Sequence, residues 1–201
     1  RPGLIASLLA VAILLYDKVL KKTPAAPLVM GSCRFLNVLL GLSTLPGPIE
    51  GWHYLIAAGI GTYIAGVTWF ARTEAHVSNR WLLAWGVLVM AIGISLLAWF
   101  PSWFAEYSVN LPQEELAAQQ SKWQWMVMLL GALIIWRPLW AVIDPAPRRV
   151  QFAVKHCLLS LIVLDATVCL VVRGRPEGIV ILLLLLPAFG LGYYMSGKAI
   201  T

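Results

Sequence analysis

Six apolar stretches of roughly 18 to 22 residues follow one another along this chain, and a slightly shorter one opens it. A bilayer's hydrocarbon core is about 30 Å thick, so each crossing helix needs about 20 such residues. The connections are short, which leaves no room for a soluble domain. Composition agrees: 60% of residues are hydrophobic and 12% charged, and the mean hydropathy is +0.81. These values exclude the soluble globular classes. The pattern predicts an all-α, polytopic transmembrane helical bundle, a single domain over residues 1–201. Spans are expected at Gly3–Tyr16, Pro27–Leu45, Trp52–Phe70, Trp81–Phe100, Trp123–Val142, Ala153–Val172 and Gly178–Met195, with one longer loop at Pro101–Ser121. Arg1 leads straight into an apolar segment, which reads as an amino-terminally incomplete protein; processing of a longer precursor is the alternative.

The net charge of +6 is spread along the chain. Lys18, Lys21 and Lys22 fall between the first two spans, Arg72 and Arg80 between the third and fourth, and Arg148, Arg149 and Lys155 between the fifth and sixth. The alternate connections carry Glu50, then Glu106, Glu114 and Glu115. Arg173 and Arg175 depart from the pattern, softened by Glu177. Basic residues on every second connection follow the positive-inside rule and report membrane orientation, not nucleic-acid binding. The expectation is an integral protein of the cytoplasmic (inner) membrane with its basic loops facing the cytoplasm. Trp52, Trp81, Trp99, Trp123 and Trp140, at span edges, fit interfacial aromatic belts. Cys33, Cys157 and Cys169 lie inside spans without metal-ligand or disulfide spacing and read as packing residues.

Polar groups inside a membrane are costly to place, so they mark chemistry or structure. Arg34 and Asn37 stand three residues apart in the second span, on one helical face. The guanidinium of Arg34 either snorkels to the headgroups or meets an anion, its donor fork suiting phosphate oxygens. Lys21 and Lys22 precede Pro24 and Pro27 at the mouth of the bundle. Two adjacent ammonium groups there can hold a diphosphate or contact anionic membrane lipids. Glu74, after the third span, falls on the same membrane side; it is a candidate Mg²⁺ ligand or a partner of Arg72. His76 reads as a polar loop residue. Asp165 is the most deeply placed acid. At 1.5 Å per residue it lies roughly 15 Å from Lys155, so its partner is expected from another span. Arg137 snorkels near the end of the fifth span, where Pro138 is expected to kink or terminate the helix.

The segment LYDKVLKKTPAAPLVMGSCRFLNVLLG resembles UbiA-type membrane prenyltransferases, in which a Tyr precedes a basic pair, a Thr and a Gly-containing helix. Here these are Tyr16, Lys21, Lys22, Thr23 and Gly31. MGSCRFLNVLLG is more similar to the EboC-like branch than to the quinone-biosynthetic members, and VQFAVKHCLLSLIVLDA from Val150 to Ala166 also resembles that branch. The resemblance implies a bundle around a lipid-open cavity. Its reaction moves a prenyl group from a prenyl diphosphate to an aromatic or other acceptor, with Mg²⁺ held by two Asp-rich motifs. It places Lys21, Lys22 and Arg34 on the diphosphate, Glu74 on the metal, and Tyr16, Asn37 and Arg72 along the cavity. By this alignment the first visible span corresponds to the family's fourth, and the first motif lies upstream. The second motif, DxxxDxxxG in the family, is represented by FARTEAHVS from Phe70 to Ser78, where Glu74 is the one carboxylate left. A catalytically altered UbiA-like protein that binds or transports an isoprenoid lipid is the alternative. An unrelated small transporter ranks last, because no internal repeat runs through the spans.

Overall fold

The computed structural model describes residues 2–44, 47–72, 79–105, 113–172, 175–188 and 190. Among them every regular element is helical: α1 (Pro2–Lys18), α2 (Ala26–Leu42), α3 (Gly51–Ala71), α4 (Arg80–Ala105), α5 (Gln113–Ile143), α6 (Pro147–Val172) and α7 (Arg175–Leu183), with a 3-10 turn at Leu20–Lys22. Each apolar stretch of the sequence thus contributes a helix. Among the described residues four segments are long and apolar enough to cross a membrane: Gly51–Ala71, Arg80–Pro101, Gln120–Ile143 and Pro147–Val172. α1 and α2 are shorter, at 17 residues each. The chain divides into two compact units, Arg1–Val154 and Lys155–Thr201.

The long loop expected at Pro101–Ser121 is largely helix instead. α4 continues to Ala105 and α5 begins at Gln113. The segment QEELAAQQ is polar but built from good helix formers. Hydropathy marks the buried or lipid-facing part of a helix and misses such a polar extension. Pro138 does not terminate α5, which runs on to Ile143. The helix tolerates the loss of one ladder hydrogen bond there. Pro101 sits inside α4 in the same way.

In the first unit α3 is the central helix, packed on α2 and α4; α1 packs on α2, and α5 on α4. Small residues make this possible. Gly59 lies opposite Gly93 and Gly66 opposite Gly86, so α3 and α4 run antiparallel with their backbones in close approach. A Cβ at Gly93 would stand 2.7 Å from the Gly59 carbonyl oxygen, and one at Gly66 would stand 2.8 Å from that of Gly86. On the other side of α3, a Cβ at Gly31 of α2 would stand 2.7 Å from the Gly61 carbonyl oxygen. Such contacts draw membrane helices together where lipid offers no hydrophobic drive to associate. Ile5, Leu39 and Ala57 form an apolar cluster joining α1, α2 and α3.

α5 is locked onto α4 by Trp123, whose indole N–H donates to the Leu97 carbonyl at 2.9 Å. Its ring meets Phe100 edge-on at 5.1 Å between centroids. Trp123 and Trp52 are therefore buried, not part of an interfacial belt; an indole with a partner for its N–H can enter the bundle. Trp81, Trp99 and Trp140 are exposed, as belt residues should be. The outward faces of α4 and α5 carry Leu82, Leu88, Ile92, Met128, Leu129 and Leu133, a surface suited to hydrocarbon. In the second unit, Gly178 of α7 faces Leu170 and Ala166 of α6. Ser160 and Thr167 of α6 are buried, their hydroxyls donating to the carbonyls of His156 and Val163 at 2.8 and 2.6 Å. Cys33 and Cys157 are buried, consistent with a packing role.

The substitution Gly93→Ala is expected to destabilise the bundle by about 1–3 kcal/mol, because the added methyl meets backbone. Gly41→Ala, at a helical position with nothing within 4 Å of a Cβ, should leave stability unchanged or slightly raised. Thermal unfolding in detergent, followed by tryptophan fluorescence, separates the two.

Candidate functional site

Antiparallel packing of successive helices gathers the carboxyl ends of α1, α3 and α5 with the amino ends of α2, α4 and α6. Lys18, Lys21, Lys22, Arg72, Arg80, Arg148 and Arg149 consequently share one end of the first unit, with Asp17 and Asp144 as its described acids. The opposite end carries Glu50 at the start of α3.

Lys21 and Lys22 sit on a turn that is held locally. Thr23 closes it: its hydroxyl donates to the Leu20 carbonyl at 2.8 Å, and its amide donates to the same oxygen at 3.0 Å. Thr23 is extended, the Ala26 amide donates to its carbonyl, and Pro27 occupies the first turn of α2, where a missing N–H costs nothing. Both ammonium side chains are exposed.

Arg72 caps the carboxyl end of α3, its amide donating to the Trp69 carbonyl at 3.3 Å. Its guanidinium Nη1 donates to the Pro24 carbonyl at 3.0 Å. This hydrogen bond, across 48 residues of sequence, fastens the end of α3 to the turn that bears the lysine pair. Three cations from two separate connections therefore meet at one mouth. Nothing in the sequence pairs Arg72 with Pro24, since the contact depends on the α2–α3 packing.

The other sequence candidates lie further apart. Arg34 is half-buried in the middle of α2, with Nε shielded from solvent. At 1.5 Å per residue it stands roughly 12 Å along the axis from Ala26, and Asn37 roughly 16 Å. Helical side chains lean toward the amino end, which directs Arg34 back toward the basic turn. Asn37 is exposed, and Tyr16 is half-buried on the last turn of α1. Glu74 and His76 lie outside the described residues, and Asp165 is half-buried in the second unit. Among the described residues no group of three or more His, Cys, Asp and Glu side chains comes together. Asp17 and Asp144 alone do not make a cage for Mg²⁺.

A groove of about 230 Å³ runs between α2 and α3, lined by Leu28, Gly31, Ser32, Phe35, Ala58, Gly61, Thr62 and Ala65. Gly31 and Gly61, where the two backbones approach, form part of its lining. Tyr16, Asn37 and Arg72 are not among its lining residues. At the far end, Glu50 and His53 cap α3 reciprocally, the Glu50 amide donating to His53 Nδ1 at 3.0 Å. Trp52 Nε1 donates to Glu50 at 2.8 Å and stacks on His53. Glu50 followed three residues later by His53 was the available signal for this cap, with His in the place usually taken by Glu or Gln.

Comparison with protein-family models, curated proteins and solved structures gave no match. The site is defined by its own residues.

Replacing Arg72 with Met removes one hydrogen bond of about 1 kcal/mol. Amide exchange across Leu20–Ala26 should then accelerate about fivefold, while exchange in the interior of α3 stays unchanged. Hydrogen-exchange mass spectrometry checks this.

Proposed function

We propose that this chain is a UbiA-like integral-membrane prenyltransferase of the EboC-like branch, with α1, α2 and α7 completing a seven-span arrangement and the basic end facing the cytoplasm. On this reading Lys21 and Lys22 take the diphosphate of a prenyl diphosphate, and Arg34 adds positive charge from α2. Glu74, two residues beyond Arg72 in sequence, would help hold a Mg²⁺ ion, which would supply positive charge to the departing diphosphate. Tyr16, Asn37 and Arg72 serve the approach to the cavity. The allylic C–O bond breaks, the acceptor attacks the allylic carbon and loses a proton, and diphosphate departs. Fixed cations favour that step by stabilising charge as it collects on the leaving group.

The observation that supports this most is the Arg72–Pro24 hydrogen bond. It joins the helix end that leads into the second-motif segment to the turn bearing the basic pair, the two parts that must cooperate on one diphosphate. At 1.5 Å per residue, α1 and α2 rise about 25 Å each, close to the roughly 30 Å of a hydrocarbon core once the adjoining turns are added.

The full chain, reconstituted in vesicles with radiolabelled prenyl diphosphates, Mg²⁺ and a panel of acceptors, should release diphosphate. Lys21→Ala with Lys22→Ala should lower kcat/KM by about 10- to 100-fold, the worth of charge-assisted contacts. Glu74→Gln should remove the response to Mg²⁺. Absence of release across the panel contradicts the enzyme.

The groove between α2 and α3 favours a second reading, a catalytically altered relative that binds or carries an isoprenoid lipid. Its walls are mostly apolar, with Ser32 and Thr62 as side-chain hydroxyls. In that case an isoprenoid co-purifies with the protein, and Glu74→Gln leaves its binding intact.

A further inference from the structure

The last turns of α5 and the first turns of α6 enclose a second concavity, of about 380 Å³, lined by Trp136, Arg137, Trp140, Arg149, Phe152 and the small residues beside them. It lies within the first unit, at the same end as the lysine pair. Trp136 and Trp140 are one helical turn apart, their rings edge-to-face at 5.9 Å, and both are largely exposed. Arg137 stands exposed beside them. Arg149 reaches the site from α6 and holds Asp144 at 3.0 Å. Arg148 lies over the Phe152 ring at 5.9 Å. Three arginines thus lie in this region with Asp144 as the one acid among its described residues, a local excess of positive charge beside aromatic rings at the end of a crossing helix.

The apolar side of the site continues along α5. Leu129, Leu133, Trp136 and Trp140 are all exposed, and their spacing of three and four residues sets them in one stripe running from the concavity toward the middle of the helix. A ligand matching both parts carries a phosphate at one end and a hydrocarbon chain at the other. Guanidinium forks bind phosphate oxygens in paired hydrogen bonds, and basic pockets between membrane helices suit anionic headgroups. Tryptophan is at home at that depth.

We propose that this concavity is a binding site for an anionic phospholipid, its phosphate held by Arg137 and Arg149 and an acyl chain laid along Trp136, Leu133 and Leu129. Arg148 and Phe152 form the α6 rim, and Asp144 keeps Arg149 turned toward the site. Prenyl transfer plays no part in this site.

The test uses the full chain reconstituted in phosphatidylcholine vesicles containing a minor share of phosphatidylglycerol, re-extracted in mild detergent. The ratio of the two lipids retained on the protein is read by mass spectrometry. The wild-type chain should be enriched in phosphatidylglycerol. Arg137→Gln with Arg149→Gln should lower the enrichment about tenfold or more, as expected for two basic groups near a membrane surface. Arg137→Lys with Arg149→Lys should restore part of it, and Arg80→Gln, at the same end but outside the concavity, should leave it unchanged. Trp136→Ala, which keeps every charge, should lower enrichment and serves if the double glutamine variant does not fold. Enrichment that survives both the glutamine pair and Trp136→Ala overturns the proposal. So does loss of the lipid on adding millimolar inorganic phosphate, which would mark a site for the free ion. Lipid retention is read without turnover, so a failure here is distinct from a failure of diphosphate release.

Discussion

Backbone-to-backbone approach along α3 is the constraint on which the rest of this molecule depends. Inside a bilayer, apolar side chains gain nothing by leaving lipid for protein, so helices associate through close fit and hydrogen bonds. α3 supplies the fit on two sides, with Gly61 against Gly31 of α2 and with Gly59 and Gly66 against Gly93 and Gly86 of α4. The two glycines of α3 that face α4 are seven residues apart, and so are their partners. Two turns of helix return to nearly the same face, so both contacts form together only when the helices run antiparallel and nearly in line.

That alignment determines where the charges go. Once α2, α3, α4 and α5 alternate in direction, the connections with lysine and arginine collect at one end and Glu50 stands at the other. Similar charges held close together repel, and three features ease the crowding here. Lys21 and Lys22 are exposed, and Arg72 turns its guanidinium onto a carbonyl oxygen. Arg149 pairs with Asp144. Among the described residues the balance at this end is a positive rim above two grooves, one between α2 and α3 and one between α5 and α6. An anion carrying a hydrocarbon tail is the chemistry that such a rim and such grooves accept together.

Much of this architecture was legible in the residues alone, and the failures have physical reasons. Apolar length located every helix, because the bilayer imposes it. Alternation of Lys and Arg with Glu anticipated the shared basic end. Pro24 and Pro27 signalled the break that displays Lys21 and Lys22. Hydropathy missed the first turns of α5, since Gln113–Gln120 favours a helix without being apolar. Span-edge position misassigned Trp52 and Trp123, which are buried, their indole N–H groups donating to Glu50 and to the Leu97 carbonyl. The Arg72–Pro24 contact and the gathering of Trp136, Arg137 and Arg149 depend on which helices become neighbours. No local pattern encodes that choice, although the paired seven-residue glycine spacings of α3 and α4 hint at it.

Antiparallel packing requires the basic connections of the first unit to share one membrane face. In a chain with Cys33, Cys157 and Cys169 replaced by Ala, single cysteines can be introduced as Lys22→Cys, Asn79→Cys and Asp144→Cys, and, for the other end, Thr44→Cys and Ser121→Cys. Labelling with a membrane-impermeant maleimide in sealed vesicles should modify the first three from one side and the last two from the other. Labelling of Lys22→Cys and Asn79→Cys from opposite sides would contradict the antiparallel order of α2, α3 and α4 and, with it, the shared basic end.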